Sequence, residues 1–373
     1  MPPLHADKIR FTATTVPDHA RVADGDREAR MRAPGFGRVF TEHVVSIRWS
    51  LDRGWHDARL DPFGDIALSP AAVGLHYGQV VFEGLKAYGQ ADGGVAVFRP
   101  DMAARRLRAS ARRLAMPELP ESLFLDAITE LVRADRRWVP SERGKSLYLR
   151  PILFATEAQL GLRPAHEHLF LLMAFVTDTF FAGGVAAPLK VWVSEDYVRT
   201  APGGTGEAKC PGNYAGSLLP AQEAHERGCD QVVWLDAVER RWVEELGGMN
   251  LFFVHGPPDA ARLTTPPLGG TILPGVTRDA LITLGRSLGH EVVEEPLAVD
   301  QWRARCADGV MREAFACGTG AVISPIGEVR SKTGAWRVGD GEPGAVTQRL
   351  RDALVDLHHG LAPDHEGWMF PVP

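Results

Sequence analysis

The chain has 373 residues, of which 45% are hydrophobic and 24% are charged, and its formal net charge at pH 7 is -6. This length suggests two domains, and the composition is that of an ordinary soluble globular protein without a basic groove for nucleic acid. The four cysteines lie far apart and form no C-x-x-C pair, so we expect neither a metal site nor a disulfide framework.

The amino terminus and the apolar segments give no sign of export. The start, MPPLHADKIRFT, lacks the apolar stretch of a signal peptide, and the longest apolar run, Leu169 to Val176, is too short to span a bilayer. We therefore expect a cytoplasmic protein that binds neither membranes nor nucleic acid.

The first half of the chain begins with a polar segment and continues with strand and helix patterns. Residues 1–35 are rich in Arg, Asp and Pro, which predicts a loosely ordered amino-terminal extension. From Phe36 to Leu51, alternating apolar residues before a DRG turn predict a strand that enters a hairpin. The later predicted elements are a strand pair around the turn at 91–94, helices in DMAARRLRASARRLA and SLFLDAITELVRADRRWV, and strands in SLYLRPILFA and HLFLLMAFVTD.

The second half begins after a change in composition. The Gly/Ala/Pro-rich segment 182–188 predicts an interdomain linker. The predicted strands are LKVWVSE, DQVVWLDAV, RRWVEE, MNLFFVHG, EVVEEP, GVMREAFA and GAVISPIG, and the predicted helices are AGSLLPAQEAHERG, a Thr-capped helix in LPGVTRDALITLGRSLGH and a last helix near Val346 to His358. Because helices and strands do not alternate regularly, we expect two α+β domains, a small one over 36–181 and a large one over 189–373.

The strongest chemical signal is the Gly-rich stretch GGTGEAKCPGNY, residues 203–214. Its lysine, Lys209, is one of only six in the chain. A catalytic lysine needs a partly dehydrated amine, and a nearly uncharged glycine loop lets a ligand approach the backbone closely. The stretch indicates the Schiff-base lysine of a pyridoxal phosphate enzyme, although the loop alone leaves open an exposed lysine. A phosphate-binding P-loop is disfavoured, because that motif needs glycine before its lysine and serine or threonine after it, whereas Lys209 follows Ala208 and precedes Cys210.

A pyridoxal phosphate enzyme also needs an acid for the pyridine nitrogen and a donor for the phenolic oxygen. Glu245 ends a predicted strand beside two glycines, where a carboxylate can approach a flat ring. Its neighbour Glu244 points the other way in an extended strand, and the sequence does not decide between the two, nor exclude a solvated turn. Tyr214, five residues after Lys209, is the candidate donor, with core packing as the alternative.

Two Gly/Thr turns are candidates for binding the cofactor phosphate. Gly275-Val276-Thr277 precedes a predicted helix, whose free N–H groups and positive dipole end suit an anion. Cys317-Gly318-Thr319-Gly320 follows a predicted strand, and either turn alone is also compatible with an ordinary turn or cap. Arg99 can form a bidentate pair with phosphate, although it is one of 35 arginines.

With these residues in place, the chain resembles the branched-chain aminotransferases of pyridoxal phosphate fold type IV. The resemblance runs from about Phe36 to the carboxyl terminus and depends on many segments in the family's order. These segments are FGRVFTEH, LHYGQVVFEGLKAY, VFRPDMAARRL, SLYLRP, GGTGEAKCPGNY, CDQVVWLD, VEELGGMNLFF, LPGVTRDAL, FACGTGAVISP and HEGWMFPV.

The resemblance implies a role for each candidate residue. Lys209 forms the Schiff base, Glu245 pairs with the pyridine nitrogen, and Tyr214 bonds the phenolic oxygen. The phosphate ligands are Arg99, Val276, Thr277 and Thr319. The substrate carboxylate residues are Tyr148 and Arg150, the aliphatic side-chain pocket is Phe40, Tyr77, Phe82 and Phe180, and Thr319 and Gly320 are further substrate-binding residues. For the aromatic residues, plain core packing is the alternative.

The implied activity is transamination of leucine, isoleucine and valine with 2-oxoglutarate, giving branched-chain 2-oxo acids and L-glutamate. An aromatic-lined pocket suits the aliphatic side chains, while glutamate needs Arg or Tyr for its distal carboxylate. Part of the family's pocket comes from the partner subunit, so the resemblance also implies a homodimer.

The chain departs from its mammalian relatives at several positions. Gly248 replaces a threonine, Ala321 and Ser324 replace the cysteines of a C-x-x-C redox pair, and Phe180 replaces a tyrosine of some relatives. D-amino-acid aminotransferases and aminodeoxychorismate lyases share the lysine and the glutamate but lack the long amino-terminal half. A non-catalytic cofactor carrier or a nucleotide-binding module is the alternative from a different class.

Overall fold

The computed structural model describes residues 9–178 and 187–373. This part of the chain forms two compact units. The first consists of the residues up to Asp178 together with Gly367–Pro373, and the second lies between them and ends at Glu366. Assigning all of 189–373 to one domain is therefore wrong at the carboxyl terminus, because Met369–Val372 pairs antiparallel with Val95–Phe98 of the first unit. The predicted linker 182–188 lies outside the described residues up to residue 186.

Helices and strands are interspersed along the whole described chain. In order they are β1 (Thr12–Ala13), α1 (Asp24–Arg32), β2 (Phe40–Ser50), β3 (Gly54–Pro62), α2 (Val73–Tyr77), β4 (Val80–Phe82), β5 (Leu85–Gly89), β6 (Val95–Phe98), α3 (Pro100–Arg113), α4 (Glu121–Ala134), β7 (Ser146–Ala155), β8 (Glu167–Thr177), β9 (Leu189–Ser194), α5 (Pro211–Ala215), α6 (Leu218–Glu226), β10 (Gln231–Leu235), β11 (Val243–Leu246), β12 (Met249–His255), β13 (Arg262–Thr265), α7 (Val276–Ser287), β14 (Glu291–Glu294), α8 (Val299–Ala307), β15 (Met311–Gly318), β16 (Val322–Ser331), β17 (Gly334–Arg337), α9 (Ala345–His358) and β18 (Met369–Val372). Short 3-10 turns lie at Asp18–Ala20, Arg136–Trp138 and Pro258–Ala260.

The first unit is a mostly antiparallel sheet with the order β1-β3-β2-β8-β7-β5-β6-β18, and β4 also pairs with β7. Strand β2 alternates buried and partly exposed side chains, with Val45 and Ile47 fully buried, as expected for a strand with one face on a core. Helix α4 buries Leu123, Ile128, Leu131 and Val132, the face predicted from its periodicity. The predicted hairpin, strand pair and two helices of this half are confirmed.

The amino-terminal segment is more ordered than its composition suggests. Strand β1 pairs in parallel with β3, the Val16 N–H donates to His43 Nε2 at 3.0 Å, and the Val22 N–H donates to Glu42 Oε1 at 2.7 Å. All nine residues of α1 remain at least partly exposed. The prediction of a loosely ordered extension is wrong for the described residues 9–35. Isolated polar contacts order this segment, and such contacts leave no periodic pattern in the sequence from which the order could be predicted.

The second unit is built on a sheet with the order β11-β10-β9-β16-β15-β12-β13-β14, with β17 paired to β16. Strand β11 pairs with β10 on one side and with β12 on the other, so the strands from β11 round to β12 close into a barrel-like ring. A core of buried side chains fills this unit, among them Val191, Val233, Leu251, Phe253, Trp302 and Val329.

Two details of the second unit differ from the sequence prediction. Gly275 caps α7, so Thr277 lies inside the first turn and the predicted threonine cap is wrong. Helix α8 and strands β13 and β17 were not predicted. Of the α8 residues only Trp302 is buried, which leaves a weak apolar stripe. Within the described residues, no helix combines the length and apolarity that crossing a membrane requires.

Candidate active site

The loop that carries Lys209 is braced by one buried asparagine. Asn213 donates from Nδ2 to the carbonyl oxygens of Thr205 at 2.8 Å and Ala208 at 2.9 Å, and its Oδ1 accepts from Thr205 Oγ1 at 2.7 Å. An ideal Cβ on Gly206 would lie 2.3 Å from the carbonyl oxygen of Thr271. The loop therefore packs its backbone directly against the backbone at residue 271, an approach that only glycine permits.

Lys209 lies against the tyrosine predicted as its neighbour. Its Nζ donates to the Tyr214 hydroxyl at 2.8 Å and is 5.2 Å from the centre of the tyrosine ring. Helix α5 positions Tyr214, because proline at the start of this helix and the Asn213 contacts fix its entry. A Cβ on Gly248 would be 3.3 Å from Tyr214 Cε1, so the absent side chain at this position leaves room for the tyrosine ring.

Both candidate acids on β11 are buried, and each has its own partners. Glu245 is 2% exposed, and its Oε1 accepts from the Leu273 N–H at 3.0 Å and from Asn250 Nδ2 at 3.3 Å. Glu244 accepts from Thr271 Oγ1 at 2.5 Å. The alternative of a solvated turn carboxylate is therefore wrong for Glu245.

The second carboxylate oxygen of Glu245 is in a different situation. Arg199 Nε lies 2.8 Å from Glu245 Oε2 in an ion pair, yet Oε2 accepts no directed hydrogen bond from the described residues. Burial raises the pKa of Glu245 to about 7, although Arg199, the Leu273 N–H and Lys209 oppose that rise. Burial also raises the pKa of Glu244. Near neutral pH, Glu245 is thus poised to respond to a nearby positive charge.

The candidate phosphate turns occupy two loops of the second unit. Val276 and Thr277 form the first turn of α7 and are buried, and the N–H groups of a first turn have no partners within their helix. A Cβ on Gly275 would lie 2.0 Å from Asn250 Oδ1. Asn250 also donates to the Leu273 carbonyl at 3.0 Å, so one side chain contacts both the acid and the segment before α7.

The other turn joins β15 to β16. Cys317 ends the buried part of β15 and pairs across the sheet with Asn250, and Thr319 and Gly320 follow in the turn itself. Val322 has a φ of 60° immediately after this turn. A β-branched residue at positive φ is strained, and such strain is typical of loops held in one shape.

In the first unit, the predicted carboxylate residues lie in an aromatic cluster. The Arg150 guanidinium stacks 5.2 Å from the Phe82 ring and 5.4 Å from the Tyr148 ring. Tyr148 stacks on Phe175 with ring centres 4.7 Å apart, and Phe36 contacts both of these rings edge-on.

The remaining predicted pocket residues divide into three cases. Phe40 joins the cluster through Phe175 and also stacks on Phe63. Tyr77 is 49% exposed and donates to the Leu160 carbonyl at 2.8 Å, so no ring contact with the cluster is seen among the described residues. Phe180 lies outside the described residues.

Arg99 has an unusual backbone position in the first unit. It precedes α3 with a φ of 45°, its guanidinium stacks 5.0 Å from the Trp368 ring, and its N–H donates to the Trp368 carbonyl at 2.8 Å. The carboxyl-terminal residues therefore hold Arg99 in place. Its role toward a phosphate stays a prediction.

Sequence reasoning missed several residues that shape these sites. They are Arg199, Asn213, Asn250, Phe36, Phe175 and Trp368. A signal existed for the asparagines, because the chain has only two and both lie in the singled-out stretches. No such signal distinguished Arg199 among 35 arginines.

The fold and the lysine site define a class of protein that comparison with known sequences identifies. The sequence profile of the protein family described as amino-transferase class IV matches residues 80–329. The chain belongs to the class IV aminotransferase family, as its sequence predicted.

More detailed similarity narrows the class. The chain is 53% identical over 367 residues to the branched-chain-amino-acid aminotransferase of Mycobacterium tuberculosis (strain CDC 1551 / Oshkosh), covering 98% of this chain and 99% of that one. The Escherichia coli branched-chain amino acid aminotransferase structure matches with a TM-score of 0.73 at 29% identity, covering 89% of this chain and 100% of that one. The PLP-bound enzyme of Thermobaculum terrenum gives a TM-score of 0.71 at 25% identity, covering 90% and 99%. The predicted fold type IV is confirmed.

Proposed function

We propose that the chain is a pyridoxal phosphate enzyme that transfers amino groups between branched-chain L-amino acids and 2-oxoglutarate. The products are branched-chain 2-oxo acids and L-glutamate. The observation that carries the proposal is Lys209, hydrogen-bonded to Tyr214, in the same unit as the buried acid Glu245. The 53% identity to a branched-chain-amino-acid aminotransferase, over 98% of this chain, supports branched-chain amino acids as the substrates.

The residues of the second unit fit the cofactor. Glu245 Oε2 is a buried oxygen that accepts no directed hydrogen bond from the described residues, which suits a protonated pyridine nitrogen. When bound, pyridoxal phosphate supplies an aldehyde for the amino group and a ring that accepts the electrons of the broken Cα–H bond. Val276, Thr277 and Thr319 would hold the phosphate, and Arg99 is a further proposed phosphate ligand.

Lys209 has two tasks in the proposed reaction. Its amine would anchor the cofactor, and as a free amine it would take the substrate Cα proton as general base and later return a proton as general acid. The Tyr214 hydroxyl contacts Nζ at 2.8 Å, so it orients the amine and can share its proton. The ionised carboxylate of Glu245 would pair with the ring nitrogen of the bound cofactor and hold a proton there.

The first unit would supply the substrate-binding residues. The Arg150 guanidinium, packed between Phe82 and Tyr148, can pair with a carboxylate while the aromatic faces contact an aliphatic side chain. Phe40 and Tyr77 are proposed for the same pocket, together with Phe180, and Thr319 and Gly320 as further substrate contacts. One pocket would then accept both leucine-like and glutamate substrates.

A homodimer is part of the proposal, since the family completes its pocket from the partner subunit. Light scattering of the purified protein should give twice the chain mass of 40.7 kDa. A monomer that is fully active would contradict this assembly. The cytoplasmic location expected from the sequence stays a prediction.

The test is a comparison of half-reactions with the pyridoxal phosphate form. L-Leucine, D-alanine and aminodeoxychorismate are added in parallel, and the change in cofactor absorbance is followed. L-Leucine alone should convert the cofactor, and 2-oxoglutarate should restore it, as ping-pong kinetics require. Reaction with D-alanine or aminodeoxychorismate instead would assign one of the related activities, and no change with any donor would indicate a non-catalytic carrier.

A further inference from the structure

Arg199 is a buried arginine that contacts three separate segments of the second unit. Its side chain is 4% exposed and its Nε lies 2.8 Å from Glu245 Oε2. Nη1 donates to the carbonyls of Gly206 at 3.2 Å and Thr271 at 2.9 Å, and Nη2 donates to Gly206 at 3.3 Å. One guanidinium therefore joins the acid on β11, the Lys209 loop and the segment at residue 271.

The charges around Glu245 make this arrangement electrostatically important. The groups that act on its carboxylate are Arg199 from the segment after β9, Lys209 from its loop and Glu244 from the same strand. Cys317 on β15 is a further neighbour, whose pKa is raised by burial. Arg199 is the largest influence that opposes burial and lowers the pKa of Glu245.

Packing alone does not account for the position of Arg199. The Thr271 carbonyl also accepts from Thr200 Oγ1 at 3.0 Å, so this carbonyl keeps a partner without Arg199. Glu245 Oε1 likewise keeps the Leu273 N–H and Asn250. The contacts that depend on Arg199 are those to Glu245 Oε2 and to the Gly206 carbonyl, three residues before Lys209.

We propose that Arg199 is a positioning residue that keeps Glu245 ionised and fixes the Lys209 loop relative to it. The inference rests on the proposed function, because it assigns Glu245 to the cofactor ring nitrogen. In physical terms, Arg199 stabilises the carboxylate before the cofactor arrives, so that binding requires no ionisation of a buried acid. The same guanidinium limits movement of the loop that carries the reactive amine.

The test is a double-mutant cycle on pyridoxal phosphate affinity, measured by equilibrium titration from pH 6.5 to 9. Arg199→Gln should weaken binding at least tenfold at pH 7, and the loss should shrink toward pH 9, where Glu245 ionises without help. In the Glu245→Gln background, Arg199→Gln should cost less than threefold. An equal, pH-independent loss in both backgrounds would mean a purely structural role and would overturn the proposal.

Two further variants keep the experiment decisive. Arg199→Lys retains the charge without the planar guanidinium. The pH dependence of its cofactor binding should therefore be close to that of the unaltered protein, while its affinity should recover only in part. If Arg199→Gln does not fold, Arg199→Lys is measured in both backgrounds instead, and an affinity loss that is equal with and without Glu245→Gln and independent of pH would refute the idea. Arg262→Gln is the matched control, since Arg262 pairs with Glu295 at 2.8 Å in the same unit. A similar loss in this control would reduce the effect to net charge and would also refute it.

A second readout does not involve the loaded enzyme. The unfolding free energy of the cofactor-free protein, followed from pH 6 to 9, should depend more strongly on pH in Arg199→Gln than in the unaltered protein. Failure of the unaltered protein to bind pyridoxal phosphate or to convert L-leucine would refute the proposed function instead. An active enzyme whose Arg199 and Glu245 show no coupling would refute only this inference.

Discussion

The Nζ atom of Lys209 lies 2.8 Å from the hydroxyl oxygen of Tyr214. Their spacing of five residues spans the end of a glycine loop and the first turn of a short helix, and Asn213 between them ties that turn to the loop. The amine and the phenol are therefore presented together by one braced segment.

Removing the amine should abolish the proposed chemistry. Lys209→Ala is expected to lose covalent attachment of pyridoxal phosphate and to reduce kcat/KM for L-leucine by about 10³-fold or more, the scale of a lost general base and nucleophile. Absorbance spectra and steady-state kinetics measure both effects. Lys190→Ala removes an exposed β9 lysine and should change neither. Retained turnover in Lys209→Ala would disprove the assigned role.

Removing only the Tyr214 hydroxyl should have a smaller effect. Tyr214→Phe keeps the ring beside Gly248 and deletes the proposed hydrogen bond to the phenolic oxygen of the cofactor. Such a bond contributes about 1 kcal/mol, so cofactor affinity should fall about fivefold. Fluorescence titration of the cofactor-free protein gives the two dissociation constants. Tyr197→Phe deletes a comparable 3.1 Å contact to Glu223 and serves as the control. Equal affinities for Tyr214→Phe and the unaltered protein would contradict the expectation.

Two glycines of the stretch GGTGEAKCPGNY, one in the loop and one in α5, should respond differently to alanine. Gly206→Ala would place a methyl group against the Thr271 backbone, so the loop must shift, at a cost of about 1–3 kcal/mol. An ideal Cβ on Gly212 meets no atom within 4 Å, and Gly212→Ala should be close to neutral. Chemical denaturation of both variants without cofactor measures the difference. Similar stability for the two would show that the close packing at residue 206 is unimportant.

His168 should make the stability of the protein depend on pH. Its ring is 2% exposed, neither ring nitrogen has a hydrogen-bond partner among the described residues, and burial lowers its pKa to about 4. The unfolded state therefore binds the proton more tightly, and stability falls as the pH drops from 6.5 toward 4. At pH 5 the loss is about 2 kcal/mol.

The histidine contribution can be isolated from that of the acids. Carboxylates with lowered pKa values, such as Glu157 and Glu295, lose their stabilising effect mainly below pH 4.5. His168→Phe keeps an aromatic ring beside Trp49 and should reduce the fall in stability between pH 6.5 and 5, while His255, whose pKa burial also lowers to about 4, keeps its own contribution. Urea denaturation at these two pH values decides the matter. An unchanged pH dependence in the variant would exclude His168 as the cause.

The sequence predicted regular elements well where one face is buried. The predicted strand SLYLRPILFA coincides with Ser146–Ala155, because its continuous apolar pattern lies between polar segments on both sides. Helix Asp24–Arg32 was missed since its residues stay exposed and carry no apolar stripe. Strand Met369–Val372 was missed because its partner, Val95–Phe98, is far away in the sequence.

For the candidate site, local spacing was informative and tertiary partners were not. Lys209 and Tyr214 were predicted together because they lie in one short segment. The orientation of Glu245 against Glu244 needed the register of β11, which the sequence does not specify. Arg199 and Phe175 required knowledge of which loops and strands face each other. Their roles in catalysis stay predictions.

The return of the chain to the first unit after the second affects how the protein can be synthesised. The edge strand at Met369–Val372 and the Trp368 ring beside Arg99 follow the whole second unit in the chain, so the ribosome makes them after it. Most of the first unit is therefore translated early, yet its sheet cannot be completed until the second unit has been made in full. Folding of the two units is linked by chain order, and a chain that stops before residue 367 would leave Arg99 without its aromatic support.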